Sequence, residues 1–380
     1  MMRKKLLSLL MIWTLMMIML VPAFSSCSAE TLGYGIVNNT DVALRKTPGG
    51  QKLIRLPKDT CVWIRDEKTD SKGSLWYEVN LGYLDGGSYR ARSGWMKAEF
   101  IDAGDTLWHD IRSVKAGQYG MMALRNNGTV ECVCDMNSRE LRGWAAGLRD
   151  IRQVSLSWLG WGFYALSGSG TFSDPDGNTE KDIRLACEYG YPYLITKDNR
   201  LLTGEITGFT WIWPRDASSE ELSRVTAMVN TDYRLILLAD DGRVYAACSA
   251  NDDGLYPEPD WENWTDVASI DAGISTFSGD RPYQYTFAAV RKDGTVLAAP
   301  DQLSDMLSPW WNIKKICIGY QWILGLKEDG TVLILAPGGT KTPDVSGWNG
   351  ITDIGNGGDY IVGVKTDGTL VFAGEHSFSD

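Results

Sequence analysis

Residues 105–380 repeat one pattern of apolar and polar positions: an apolar residue, a short polar turn, and another apolar residue. The turns centre on Gly128, Gly170, Asn199, Gly242, Gly294, Gly330 and Gly368. Four positions before them stand Leu124, Leu166, Ile195, Leu238, Val290, Leu326 and Val364. Two positions after them stand Val130, Phe172, Leu201, Val244, Val296, Val332 and Leu370. Asp-Gly or Asn-Gly between apolar alternations predicts a β-hairpin, because the turn needs the positive φ that Gly and Asn tolerate. An apolar residue at both offsets in every copy is what paired strands with one buried face require.

A further strand precedes several hairpins: "WHDIRSVKAG" from Trp108, "WTDVASIDAG" from Trp264, "WNGITDIGNG" from Trp348 and a shortened "WNIKKICIG" from Trp311. Its apolar residues recur every third position, not every second. This spacing predicts a kink or bulge, placed here at the closing glycines Gly117, Gly319 and Gly357, with the backbone close to a neighbour there. Repeats of roughly forty residues made of short strands point to a radial array. Seven units suit a closed β-propeller. An open solenoid or a large sandwich is the alternative, but an open array would leave two exposed edges. Closure predicts that 105–118 lies beside 360–374.

The units "GWNGITDIGNGGDYIVGVKTDGTLVFAG" and "NWTDVASIDAG…FAAVRKDGTV" resemble the bacterial form of the regulator of chromosome condensation repeat, whose members fold as seven-bladed propellers. The resemblance covers about 105–380 and is strongest in the first and last two units. It weakens in the middle, where Asn199 replaces the turn glycine and "SGSGTF" replaces the acidic turn. The insert between Gly273 and Gly294 is expected as a loop on one face. Exchange activity on a small GTPase, known for the eukaryotic founder, is not implied for an exported chain without a matching partner loop.

Residues 30–104 have another texture, with short alternations around Val42, Leu44, Leu53, Ile54, Val62 and Ile64 separated by Pro-Gly-Gly and Pro-Lys-Asp turns. That describes a small all-β barrel. "VALRKTPGG", "LPKDTCVWI", "LWYEV" and "GWMKAEFI" resemble a bacterial SH3-type domain, and "YLDGGSYRAR" at 83–92 is longer than that family usually allows. The resemblance implies binding to wall peptides, glycans or neighbouring domains. Trp76 and Trp95 are expected in the barrel core, since aromatics supply much of a small core. Trp63 and Tyr77 are the candidate ligand-binding surface residues.

The N-terminus places Arg3, Lys4 and Lys5 before an apolar run from Leu6 to Leu20 and a small-residue cluster, the order of a secretory signal. Three endings stay open: cleavage after Ala29, lipid attachment at Cys27, or retention as a membrane anchor. The formal charge is −11, and residues 1–29 hold three basic and no acidic residues, so the remainder stands at about −14. Such a chain repels phosphate backbones, which excludes a nucleic-acid partner. The six cysteines beyond the signal show no metal spacing and are expected as small buried residues with at most one bridge.

Only two histidines occur, His109 and His376, and neither lies near a nucleophile motif. "DPDGNTEKD" at 174–182 places oxygen ligands on alternate residues like the opening of a calcium loop, but its glycine is misplaced and no closing Glu follows. It is read as a solvated loop; "NDDGLYPEPD" at 251–260 is similar. Trp108, Trp264, Trp311 and Trp348 share one repeat position and are expected in packing between units. Trp158, Trp161, Trp211 and Trp213 fall outside it and are free to line a face.

Together these observations predict an all-β chain: a signal at 1–29, an SH3-like barrel at 30–104 and a seven-bladed propeller at 105–380. The expected role is a secreted or cell-envelope protein, a monomer that binds or scaffolds without catalysis. It meets cell-wall peptide or glycan through the barrel, or an extracellular protein through the propeller. No cofactor, metal or nucleic acid is expected, and a membrane only through lipid at Cys27. The competing expectation is a hydrolase or lyase with a carboxylate site at the propeller channel mouth.

Overall fold

Each of the seven turn signals folds as a three-residue hairpin loop with its last residue, Gly or Asn, at positive φ. At the last one, Gly368 N–H donates to Lys365 O and Lys365 N–H donates to Thr369 O, both at 2.9 Å. The Asp367 carboxylate accepts from Thr369 N–H at 3.0 Å, which fixes the turn from the side-chain direction. Gly368 has φ +80°, and a Cβ there would lie 3.0 Å from Asp110 Cα, so both backbone conformation and space select glycine. All seven apolar pairs predicted from the pattern are direct cross-strand partners, from Leu124 with Val130 to Val364 with Leu370.

The described residues are 33–376 except 86–87, 136–137, 157–161, 189–191, 204–210, 213–217, 232–233, 250–258 and 278–282 of this computed structural model. The protein is all-β. From 111 onward, seven small antiparallel sheets of three or four strands follow in chain order, here called I to VII: 111–134, 151–180, 183–203, 211–249, 267–299, 313–335 and 351–374. The first strand of each sheet, or in sheet IV the second, Val225–Asn230, carries a register shift one residue after its first apolar position, as between Ile111 and Ser113 or Ile351 and Asp353. The expected bulge therefore exists, but at the start of the strand and not at its closing glycine. Two buried apolar residues three apart, such as Ile111 and Val114, can share a face only if one extra residue is inserted between them. The glycines at the other end serve close approach instead: a Cβ on Gly357 would meet the Tyr360 ring at 2.1 Å.

These bulged strands touch one another in chain order, and that of sheet VII touches that of sheet I. At five junctions between consecutive sheets the turn glycine of one accepts a hydrogen bond from the first strand of the next, as with Ile151 N–H to Gly128 O at 2.9 Å. The same bond runs from Ile111 N–H to Gly368 O at 2.9 Å, so the last sheet is joined to the first as any other neighbour is. The arrangement is a β-propeller, and 105–118 lies beside 360–374 as closure requires. The insert in sheet V departs from the expected loop. It lengthens the hairpin, pairing Gly273 with Thr286 and on to Thr276 with Tyr283. Ser275 and Thr276 hydroxyls then donate to Gly319 O and Tyr320 O of sheet VI.

Before the ring, seven strands form one antiparallel sheet: β1 Gly33–Val37, β2 Val42–Arg45, β3 Lys52–Leu56, β4 Cys61–Thr69, β5 Leu75–Asp85, β6 Ser88–Lys97 and β7 Ile101–Asp102. Their order is β3-β2-β6-β5-β4-β1-β7. All seven contribute to one core, including Val37, Leu44, Leu56, Val62, Val79, Met96 and Ile101, so the sheet curls around its own interior. The 83–92 stretch is not a separate loop; β5 and β6 stay paired out to Asp85 and Ser88.

Candidate functional site

Strands β1 and β4 are apolar on both faces, and period-two alternation divides their side chains between two cores. Val37, Val62 and Ile64 face the interior of the N-terminal sheet, whereas Tyr34, Ile36, Cys61 and Trp63 join Trp108, Val133, Tyr360 and Phe372 of the ring. The seam is thus shared by the N-terminal sheet and by sheets I and VII. Trp63 is its centre, with ring centroids 5.1 Å from Tyr34, 5.2 Å from Tyr360 and 5.8 Å from Phe372. Trp108 Nε1–H donates to Tyr34 O at 2.9 Å. Trp63 was expected at the surface as a ligand contact, and this is corrected: it is 0 % exposed. The alternation was read rightly, but the face opposite Val62 and Ile64 is covered by the ring and not by water.

The seam also holds charge. His376 Nε2 lies 2.8 Å from Asp135 Oδ2 and its Nδ1 2.9 Å from Asp359 Oδ1. Burial alone would push the imidazole down, but the two carboxylates outweigh it and hold His376 up at about 10. The ring is therefore a cation at neutral pH, with both nitrogens donating. Burial likewise pushes Asp135 up, against the pull of His376. Asp135 follows the third strand of sheet I, Asp359 precedes the second strand of sheet VII, and His376 follows its last, so one imidazolium ties both ends of the ring. Tyr360 adds donation from its hydroxyl to Gly117 O at 3.2 Å and Gly120 O at 3.0 Å.

A second feature lies where first strands of sheets I, II, VI and VII meet around a cavity of about 410 Å³. Its lining includes Arg112, Lys115, Arg152, Lys315 and a single carboxylate, Asp353. The bulge turns Arg112 and Arg152 outward from the apolar face, and each bonds to the following sheet: Arg112 Nη2 to Ile151 O at 2.9 Å, Arg152 Nη2 to Arg184 O at 2.5 Å. Asp353 accepts from Val114 N–H at 2.9 Å with one oxygen and from the Lys315 ammonium with the other. Burial lowers Lys315, and Asp353 more than reverses this, leaving it raised. In the first strand of sheet V, Asp271 accepts from Ile318 N–H at 2.7 Å and is pushed up by burial. The cavity is cationic, unlike the carboxylate site anticipated at the channel mouth.

Other sequence candidates fall as follows. Tyr77 is half-buried against the core of the N-terminal sheet, and burial raises its phenol. Trp76 is buried with Nε1–H donating to Asp70 at 2.9 Å, and Trp95 is half-buried. The shared tryptophan position is corrected at one repeat. Trp310, not Trp311, lies over the middle strand of its sheet, where a Cβ on Gly325 would meet it at 2.5 Å, as Trp348 does over Gly363. Counted from Trp310, the next strand begins at the same spacing as after Trp108, Trp264 and Trp348. Trp311 is left 64 % exposed with the Lys327 ammonium 4.4 Å from its ring. In 174–182 the Asp174 carboxylate is occupied by Asn178 N–H and Nδ2, forming an exposed hairpin loop. His109 is exposed. Cys61, Cys132, Cys134, Cys187 and Cys317 are unbridged. Cys27, Trp158, Trp161, Trp213 and 251–258 lie outside the described residues, as does the side chain of Trp211.

No family model matches the sequence, and no curated protein matches it. Among solved structures, PorZ, a surface component of the type-IX secretion system of Porphyromonas gingivalis, aligns at 12% identity with a TM-score of 0.37 over 72% of this chain. That match spans 39% of the PorZ chain. BamB from Moraxella catarrhalis aligns at 12% identity and TM-score 0.37, covering 91% of this chain and 98% of BamB. The β-propeller domain of Cps50 (Swd1) from Myceliophteria thermophila aligns at 12% identity and TM-score 0.40, covering 69% and 96%. With each of these TM-scores below 0.5, the fold rests on the sheet pairings and junction bonds described above.

Proposed function

We propose that this chain is an exported, non-catalytic binding or scaffolding protein of the bacterial cell envelope. In this reading 1–29 is the signal, 30–104 an SH3-like barrel that engages cell wall, and 105–380 a seven-bladed propeller of the regulator of chromosome condensation type that presents a face to a protein. The observation that carries it is the seam. A barrel that shares Trp63, Tyr34 and Cys61 with sheets I and VII is a rigid part of one platform, suited to holding a bound wall and a bound partner at a fixed separation. The bonds of Arg112, Arg152 and Asp353 support a structural role for these cavity side chains, since they join sheet to sheet.

The test is co-sedimentation of residues 30–380 with purified sacculi, using the whole chain because halves would expose the seam. Tyr77 stays half-buried on the barrel, and Tyr77→Ala is expected to weaken retention about tenfold if its ring meets the wall ligand. Absence of retention by the intact chain would sink the wall-binding half of the reading.

A further inference from the structure

We propose that the cavity between the first strands of sheets I, II, VI and VII binds a small multivalent oxyanion, one carrying phosphate or carboxylate oxygens. Four cationic side chains line it against one carboxylate, in a chain whose formal charge is −11. A cavity of one sign with low-dielectric walls focuses potential on its interior, and here that sign is opposite to the protein's own. The one lining carboxylate is already spent: both Asp353 oxygens are bonded, one to Val114 N–H and one to Lys315.

The remaining three cations are not neutralised in this way. Arg112 and Arg152 each give a guanidinium N–H to a backbone carbonyl of the next sheet, and Arg152 a second to Ser167 O of its own sheet; none of these carbonyls carries a full charge. Those bonds hold the side chains in place without consuming all five N–H donors of either group. Lys115 makes no hydrogen bond or ion pair among the described residues, and Asp271 reaches it only through its field. Two oriented guanidinium groups and an open ammonium lining one cavity suit several oxygens of one anion, with little ordering left to do on binding. The volume of about 410 Å³ falls within the range of small-molecule sites. This inference does not depend on wall binding, and fails or stands separately from it.

Calorimetric titration of residues 30–380 with inorganic pyrophosphate and, separately, with citrate tests it. One-to-one saturable binding of at least one probe is expected, and the preferred probe distinguishes a phosphate from a carboxylate ligand. Lys115→Ala should weaken that binding about tenfold or more while leaving the melting temperature unchanged, as expected for losing a charge-assisted hydrogen bond. No saturable binding of either probe, or binding that Lys115→Ala leaves intact, would overturn the proposal.

Discussion

The seam and the cavity both gather charged side chains from strands distant in sequence, and they treat them in opposite ways. In the seam His376 is enclosed by aromatic rings and both of its nitrogens face carboxylates. In the cavity Lys115 is exposed and faces none within bonding distance. The difference follows from solvent. A charge removed from water must be paired, or it costs several kcal/mol, roughly 3–5 when one partner of a buried pair is lost. A charge left in water needs no partner, so evolution of the sequence can leave it open for something else to meet. The same ring thus contains a region where electrostatics holds structure together and a region where it is unspent.

Substitutions should separate the two. The largest effect is expected at Trp63, where Trp63→Ala removes the centre of the seam and should cost about 3–5 kcal/mol in denaturant unfolding. A loss below about 1 kcal/mol would mean that the N-terminal sheet and the ring are not one cooperative unit. Next comes His376→Gln, with an expected loss of about 3 kcal/mol at neutral pH because Asp135 then stays buried beside no cation. The pH dependence has a definite sign. His376 is held at about 10 in the folded protein against 6.5 as its ordinary value, so the folded state binds more protons between them. Its contribution is complete below about 6.5 and fades as pH rises towards about 10. Melting curves across that window should flatten in the variant, and an unchanged slope would contradict a cationic His376. The smallest effect belongs to the cavity: Lys115→Ala should alter stability by no more than about 0.5 kcal/mol. A larger loss would make Lys115 part of the framework and erase the contrast.

The ring was legible in the sequence because its information is local. A turn glycine and its flanking apolar pair lie within a few residues, and the pairs from Leu124–Val130 to Val364–Leu370 follow from spacing alone. The bulge was legible as a three-residue period, but its position was not: Ile111 and Val114 share a face whether the extra residue sits early or late. Trp311 was misassigned because two adjacent tryptophans compete for one slot, and only the fixed interval to Ile313 selects Trp310. The seam was not legible at all. Asp135 and His376 stand 241 positions apart, and no periodicity marks either. Trp63 shows the general limit, since alternation says which residues point the same way but not whether water or another element covers that side. The cavity was equally hidden, because Arg112, Arg152 and Lys315 belong to different repeats and gather only when the ring closes.

The seam also governs when the molecule can finish folding. Tyr34 and Trp63 are made long before His376, the imidazolium that completes their surroundings. Sheets II to VI can form from neighbouring segments as they are made, whereas the contact between the N-terminal sheet and sheet VII waits until residues 351–376 exist. Until then Tyr34 and Trp63 present an uncovered aromatic surface, which sheet VII buries when it docks.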